Sequence, residues 1–340
     1  MRKLHGSDKI YRCIFIVLFS LLAGTGCSGE NDSVSDRALG NAETSEETEE
    51  TEENLPEELS RAGEPSQTGE AAAAGNQEEG REPVTEEADW SGYFDGINGA
   101  AVIYDPAKNH YQIYQQELAL TRRSPCSTFK IISSLIALEH GIIDPDDSVR
   151  VWSGETFWNG DWNRDIDFTD AFHTSCVWYF REVIDEIGKD RMQEELDRLS
   201  YGNCDISDWE GHLNTNNSNP ALTGFWIESS LLISPKEQAE VMERIFGEHT
   251  VVSEETKDQL ERVMRLADQE EADLTVYGKT GMGKANGVVA DAWFTGFADD
   301  ANGRIYFCVY MGETDDREVS SARAREAAVE IVSDYLAGDF

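Results

Sequence analysis

A serine and a lysine lie three residues apart at the start of an apolar stretch of the chain. Residues 124–144 read SPCSTFKIISSLIALEHGIID, with Ser127 and Lys130 at the head of a helical pattern. Residues at i and i+3 share a helix face, so the Lys130 amine can approach the Ser127 hydroxyl. A lysine takes a proton from serine only when desolvation lowers its pKa. The pair is a candidate nucleophile and base, although an N-cap serine and an exposed lysine would show the same spacing.

Two further motifs carry polar groups that could assist such a pair. Ser175, in the sequence SCV, precedes the helical stretch WYFREVIDEIG and could equally be an N-cap. Lys279, Thr280 and Gly281 lie in the strand-like run LTVYGKTG. A cation and a hydroxyl beside a glycine, which lets a ligand approach the backbone, suit a substrate that bears a carboxylate.

The elements that must position these residues follow a simple order. Strand-like runs come first, AAVIYD and YQIYQQ, and three more come later, LTVYGKTG, VVADAWFTGFAD and RIYFCVYMG. Helices are predicted over residues 127–140, 175–187, 189–199, 234–246, 253–266 and 321–336, with a capping-box pattern at Ser234 and Glu237. We expect an α/β (α+β) fold: a central antiparallel sheet built from both ends of the chain, flanked by helices, with an inserted all-helical subdomain.

The first 26 residues have the pattern of a secretory signal. Basic residues precede an apolar run, residues 13–23, that is too short to span a bilayer. The end of this segment, LLAGTGCSGE, resembles a bacterial lipoprotein signal, in which Cys27 would be lipidated; ordinary cleavage nearby is the alternative. We therefore expect an exported protein, outside the cytoplasm, held at the membrane by an N-terminal lipid or else secreted.

The next segment, residues 27–89, is acidic and lacks the side chains of a core. Between Ser28 and Asp89 there are 20 acidic residues, 3 basic residues and no aromatic residue. Such a segment cannot bury enough apolar surface to offset the entropy of ordering, so we expect a disordered tether. Residues 90–340 would form one catalytic domain. The net charge of −39 argues against nucleic acid or an anionic membrane surface as a partner.

Taken in order, the motifs of residues 90–340 resemble one enzyme family. They are similar to the class D (oxacillinase-type) serine β-lactamases and the related β-lactam sensor domains, within the penicillin-binding, transpeptidase-like superfamily. The elements that carry the resemblance are STFK (127–130), WNRD (162–165), SCV (175–177), YGN (201–203), FWIESSLLIS (225–234), KTG (279–281) and WFTGF (293–297).

The resemblance implies a role for each matching residue. Ser127 would attack a β-lactam carbonyl, and Lys130, carboxylated by CO2 on its amine, would be the general base. Ser175 would relay a proton toward the leaving nitrogen. The backbone N–H groups of Ser127 and Met282 would form the oxyanion hole. Apart from CO2 as a lysine carbamate, no cofactor is implied.

Two further groups of residues acquire roles in the same way. The substrate-binding residues would be Lys279, Thr280, Gly281 and Met282. Among these, Lys279 and Thr280 would face the carboxylate of the substrate. The pocket of the carbamate would be formed by Phe129, Val177 and Trp226.

Two other functions of the same fold stay open. A sensor would be acylated on Ser127 and would fail to hydrolyse the adduct, whereas a transpeptidase would react with peptidoglycan stem peptides. Val177 favours the hydrolase, because relatives of the other two kinds often have a polar residue there. Sensors also carry membrane helices and a protease domain ahead of the binding domain, which this sequence does not show.

Three features depart from the family pattern or leave alternatives. Arg323 and Arg325, in SSARARE, are both near the place of a carboxylate-binding arginine, and neither is a clean match. The stretch 204–224 is longer than in compact members, so we expect a different shape for the loop that lines the site. No cysteine pair of the domain has zinc-ligand spacing, so metal binding is not expected, and the cysteines could be paired or buried thiols: Cys126, Cys176, Cys204 and Cys308.

Overall fold

The structure is a computed structural model that describes residues 82–338 apart from 214–217, 268–273, 286 and 316. The predicted signal over residues 1–26, the predicted lipidation site Cys27 and the tether as far as residue 81 lie outside the described residues. Within the part that is described, no helix combines the length and the apolar composition needed to cross a bilayer.

Strands from the two ends of the described chain form one sheet, in the order β1-β3-β2-β6-β5-β4. Neighbouring strands are antiparallel except β1 and β3, which are parallel. The pairing of β2 with β6 joins the two halves of the sheet, which confirms the predicted assembly from both ends. The strands are β1 (Val84–Glu87), β2 (Gly99–Asp105), β3 (His110–Tyr114), β4 (Thr275–Ala285), β5 (Val288–Asp300) and β6 (Gly303–Gly312).

Strand β1 lies where the sequence predicts a disordered tether. All of its residues are exposed, so it adds nothing to a core. It is nevertheless paired along β3, and flanking main-chain bonds run from Val84 N–H to Asn109 O (3.0 Å) and from Ala88 N–H to Ile113 O (2.9 Å). Main-chain hydrogen bonds at a sheet edge need no apolar side chain. The tether prediction is therefore wrong for Val84–Glu87, and the ordered part begins before Trp90.

Helices cover both faces of the sheet. Successive residues of β2 separate two cores: Ala100 and Val102 pack with the inserted helices, whereas Ala101 and Ile103 pack with the first and last helices. The inserted helices between β3 and β4 confirm the predicted helical subdomain. The helices are α1 (Ser91–Phe94), α2 (Gln116–Ala119), α3 (Lys130–Glu139), α4 (Phe168–His173), α5 (Val177–Ile187), α6 (Lys189–Leu199), α7 (Pro235–Phe246), α8 (Glu254–Met264) and α9 (Ser321–Ala337).

The helix starts differ from prediction at the two candidate catalytic serines. A 3-10 turn, Cys126–Phe129, precedes α3, so Ser127 stands before the α-helix and Lys130 is its first residue. Helix α5 begins at Val177, two residues after Ser175. The predicted capping box of Ser234 and Glu237 is confirmed at α7. Helices α1, α2 and α4 were not predicted, because four to six residues are too few to show a helical period.

Candidate active site

Ser127 and Lys130 meet where the 3-10 turn passes into α3. Lys130 Nζ lies 3.1 Å from Ser127 Oγ, a distance over which a proton can pass between a hydroxyl and an amine. Ser127 is half-buried and lines an open cavity, whereas Lys130 is 1% exposed. The structure therefore makes the contact that the i, i+3 spacing predicts. The candidate base, Lys130, is buried, and the candidate nucleophile, Ser127, is open to the cavity.

The Lys130 amine is fully buried and lies over an aromatic ring. Its Nζ lies 5.3 Å from the centre of the Phe180 ring, and the neighbouring Phe129 is fully buried and stacks on Trp226 at 6.1 Å. Desolvation by burial lowers the pKa of Lys130 from its ordinary 10.5 to about 8. The amine is thus neutral often enough near neutral pH to accept a proton.

Ser175 and Lys279 form a second contact of the same kind. Lys279 Nζ donates to Ser175 Oγ at 2.5 Å, and Lys279 is 4% exposed. Ser175 has a left-handed backbone (φ 55°), and the N-cap of α5 is Cys176, without a side-chain cap bond. The N-cap alternative for Ser175 is therefore wrong. Burial, and then the nearby Lys130 amine, lower the pKa of Lys279 well below its ordinary value.

Gly281 allows β4 to pass close to the nucleophilic turn. A Cβ at Gly281 would lie 2.9 Å from Thr128 Cγ2 and 3.0 Å from the carbonyl oxygen of Pro125. Strand β4 is an outer strand of the sheet, so the side of its backbone away from β5 can face a ligand. Met282 follows directly, is 39% exposed and lines the same cavity as Ser127.

A segment that we call the strap, residues 225–233, is hydrogen-bonded to the nucleophilic turn, Cys126–Phe129. The carbonyl of Trp226 accepts from Cys126 N–H at 3.0 Å, immediately before Ser127. The YGN motif binds the strap through the side chain of Asn203. That side chain accepts from Leu232 N–H at 2.9 Å and donates to Ser230 O at 2.8 Å. Gly202 is required there: its φ is 56°, and a Cβ would lie 2.0 Å from the carbonyl oxygen of Leu232.

The cavity beside Ser127 has a volume of about 360 Å³ and includes residues that sequence reasoning missed. Trp158 is 75% exposed at this wall, in a stretch without regular periodicity. Glu228 and Lys284 also line it; Glu228 belongs to the FWIESSLLIS block, where only Trp226 had been given a role. Val177 lines the wall as well, and Ser218, Asn219 and Leu222 show that the long 204–224 stretch contributes to it.

A second cavity, also about 360 Å³, is lined by Lys279 and Thr280. Arg325 lines it too, whereas the guanidinium of Arg323 donates to Glu326 and to the carbonyl of Tyr93. The structure thus places Arg325, and not Arg323, beside the residues predicted to face a carboxylate.

The four cysteines of residues 82–338 are all free thiols. Cys126 and Cys176, next to the two serines, are buried, and desolvation raises their pKa values to about 12 and about 11. They are therefore poor nucleophiles beside Ser127. Among the described residues, no three His, Cys, Asp or Glu side chains are grouped as metal ligands would be.

Comparisons with known proteins agree with this geometry. The family described as "Penicillin binding protein transpeptidase domain" matches residues 67–335. The regulatory protein BlaR1 of Bacillus licheniformis is 30% identical over 246 residues, which are 72% of this chain and 38% of that protein. The chain therefore spans little more than a third of that relative. The probable β-lactamase YbxI of Bacillus subtilis is 32% identical over 243 residues, 71% of this chain and 82% of that protein.

A solved structure shows the same fold. The C-terminal domain of the Bacillus licheniformis BlaR penicillin receptor superposes with a TM-score of 0.65 at 30% identity, covering 74% of this chain and 97% of that domain. The predicted α/β fold with its helical insertion is thereby confirmed.

The buried Lys130 amine should make the fold less stable at neutral pH than at high pH. In the folded state its pKa is about 8 and in the unfolded state it is near 10.5. Between these values the unfolded chain binds more protons, so this contribution to stability rises with pH and the full penalty applies below pH 8. Lys130→Met should therefore raise the free energy of unfolding at pH 7 by on the order of 3 kcal/mol.

Urea unfolding in CO2-depleted buffer at several pH values measures this effect. The difference between Lys130→Met and wild type should shrink as the pH approaches 10.5. Lys189→Met, at an exposed position of α6, is the control and should show no such trend. A constant or absent difference would contradict a buried, destabilised ammonium group.

Proposed function

The chain belongs to the penicillin-binding protein transpeptidase domain family, and from that premise we propose that it is a class D serine β-lactamase. In this proposal, Ser127 attacks the carbonyl of a β-lactam and forms an acyl-enzyme that water then hydrolyses. The observation that carries the proposal is the buried Lys130 amine, 3.1 Å from the Ser127 hydroxyl.

Acylation needs a base, an oxyanion site and a proton for the leaving nitrogen. The Ser127 proton passes to Lys130 while the Oγ–carbon bond forms. The carbonyl oxygen becomes an oxyanion, which accepts from the backbone N–H groups of Ser127 and Met282. As the ring C–N bond breaks, Ser175 gives its proton to the nitrogen. Lys279, which touches the Ser175 hydroxyl, can replace that proton.

We propose that polar groups of the second cavity orient the substrate. Lys279, Thr280 and Arg325 line it together, so a carboxylate on the β-lactam can be bound there. A bound carboxylate favours the ammonium form of Lys279, because opposite charges raise the pKa of an amine. Binding would therefore charge the group that supplies the proton to Ser175.

We further propose that Lys130 is carboxylated by CO2. The residues present fit this group, because only a neutral amine reacts with CO2 and burial lowers the pKa of Lys130 to about 8. Phe129, Val177 and Trp226 would enclose it. When present, the carbamate supplies an anionic oxygen base that works at neutral pH.

Hydrolysis is tested by comparing product with enzyme in one tube. Purified protein mixed with excess penicillin should release hydrolysed product far beyond its own concentration, with only a transient adduct by intact-mass spectrometry. Ser127→Ala is the control and should give neither product nor adduct. One stable adduct per chain without further product would contradict the hydrolase.

That contrary outcome would favour a sensor, a second candidate function. The similarity to BlaR1 and to the solved receptor domain supports it, since both are named as regulatory or receptor proteins. Slow release of the acyl group would then be the property that matters. Reaction with peptidoglycan stem peptides, as in a transpeptidase, is the remaining alternative of the family.

Carboxylation predicts that activity depends on CO2. Protein prepared in CO2-depleted buffer should regain activity on addition of bicarbonate, and 13C-labelled bicarbonate should give a carbamate resonance by NMR. Lys130→Ala should lose that resonance, whereas Lys189→Ala should keep it. A bicarbonate response without a resonance that depends on Lys130 would contradict this part of the proposal.

We also propose, from residues 1–27 alone, that the protein is exported and lipidated on Cys27. A bacterial host grown with labelled palmitate should incorporate label into the wild-type protein. The Cys27→Ser variant should take up no label and should leave the membrane fraction. Equal labelling of the two proteins would contradict lipidation at this residue.

A further inference from the structure

Glu228 is an acidic side chain on the wall of the cavity for which the proposed mechanism has no use. It lies on the strap, two residues after Trp226. Its backbone has a φ of 50°, in the left-handed region that is uncommon for residues other than glycine. Such a conformation persists where surrounding contacts hold it. Glu228 contacts both the segment that precedes Ser127 and strand β4.

The backbone of Glu228 is joined to the segment that precedes Ser127. Its N–H donates to Ser124 Oγ at 2.9 Å, and the Ser124 hydroxyl donates onward to the carbonyl of Trp226 at 3.0 Å. The same carbonyl accepts from Cys126 N–H. Glu228 is thus connected through three hydrogen bonds to Cys126, the residue immediately before the nucleophile.

The side chain of Glu228 is joined to β4. Lys284 N–H donates to Glu228 Oε1 at 2.6 Å, a bond strengthened by the charge of the carboxylate. Lys284 lies where the pairing of β4 with β5 shifts register, between Gly283 and Lys284. A bulge interrupts the ladder, so the strand is less well fixed there by β5 alone. Met282 is only two residues away.

We propose that Glu228 is a positioning residue that fixes β4 against the nucleophilic turn and so aligns the N–H groups of Ser127 and Met282. This inference rests on the proposed acylation of Ser127. Without an acceptor at Glu228, β4 still pairs with β5 up to the bulge, but its far end can move away from the turn. The oxyanion forms in the transition state, so the loss should fall on the rate and spare substrate binding.

The experiment measures acylation of Ser127 over a range of penicillin concentrations. Glu228→Ala should lower the limiting acylation rate about 10- to 100-fold. Its half-saturating concentration should change by less than about twofold, as expected when only the transition state is affected. Glu228→Gln should stay within about threefold of wild type, because the amide oxygen still accepts, as a weaker neutral partner.

Two further variants make the result specific. Glu248→Ala removes the same charge at an exposed position after α7 and should acylate like wild type. Glu228→Met keeps the length of the side chain without an acceptor and should be acylated as slowly as Glu228→Ala. If Glu228→Ala folds poorly, Glu228→Met takes its place as the test. Thermal unfolding of each variant shows whether the protein compared is folded.

The outcomes separate this inference from the proposed function. A wild-type rate in folded Glu228→Ala or Glu228→Met would overturn the positioning role. An equal loss in Glu228→Gln and Glu228→Ala would also overturn it, because the charge and not the hydrogen bond would then be responsible. A wild-type protein that is never acylated would instead refute the proposed function.

Discussion

Burial of the Lys130 amine beside the Ser127 hydroxyl is the interaction on which the rest of the site depends. An amine in water holds its proton near neutral pH and cannot act as a base, so the fold must remove the water. It does so by placing Lys130 at the first position of α3, where eight of the ten residues are buried. The N-terminal end of a helix also disfavours a cation, which adds to the effect of desolvation. The fold thereby accepts a local loss of stability in return for a reactive group.

Close backbone approach provides the other half of the geometry. Strand β4 can lie against the nucleophilic turn because Gly281 has no Cβ, and the YGN turn can lie against the strap because Gly202 has none. The strap in turn holds the backbone of Cys126 through the carbonyl of Trp226. Motifs far apart in the sequence are thus parts of one support. Each fixes a main-chain position, and the reactive side chains follow from those positions.

The sequence predicted the sheet, the helical insertion and the Ser127–Lys130 contact, since apolar periodicity and the i, i+3 rule are local. It did not predict β1, because an edge strand whose residues are all exposed leaves no apolar pattern. The left-handed backbone of Ser175 and the contact of Glu228 with Lys284 arise from packing between distant segments, and a single sequence does not encode those in a readable period. The distinction between Arg323 and Arg325 likewise needed the helix orientation.

The most direct test of the Ser127–Lys130 pair is the rate at which penicillin modifies Ser127, followed by peptide mass mapping in wild type, Lys130→Ala and Lys189→Ala. A buried amine that accepts the Ser127 proton predicts rapid modification in wild type and in Lys189→Ala, and almost none in folded Lys130→Ala. Modification of Ser127 at the wild-type rate without Lys130 would contradict the central claim, because the serine would then be activated by another group.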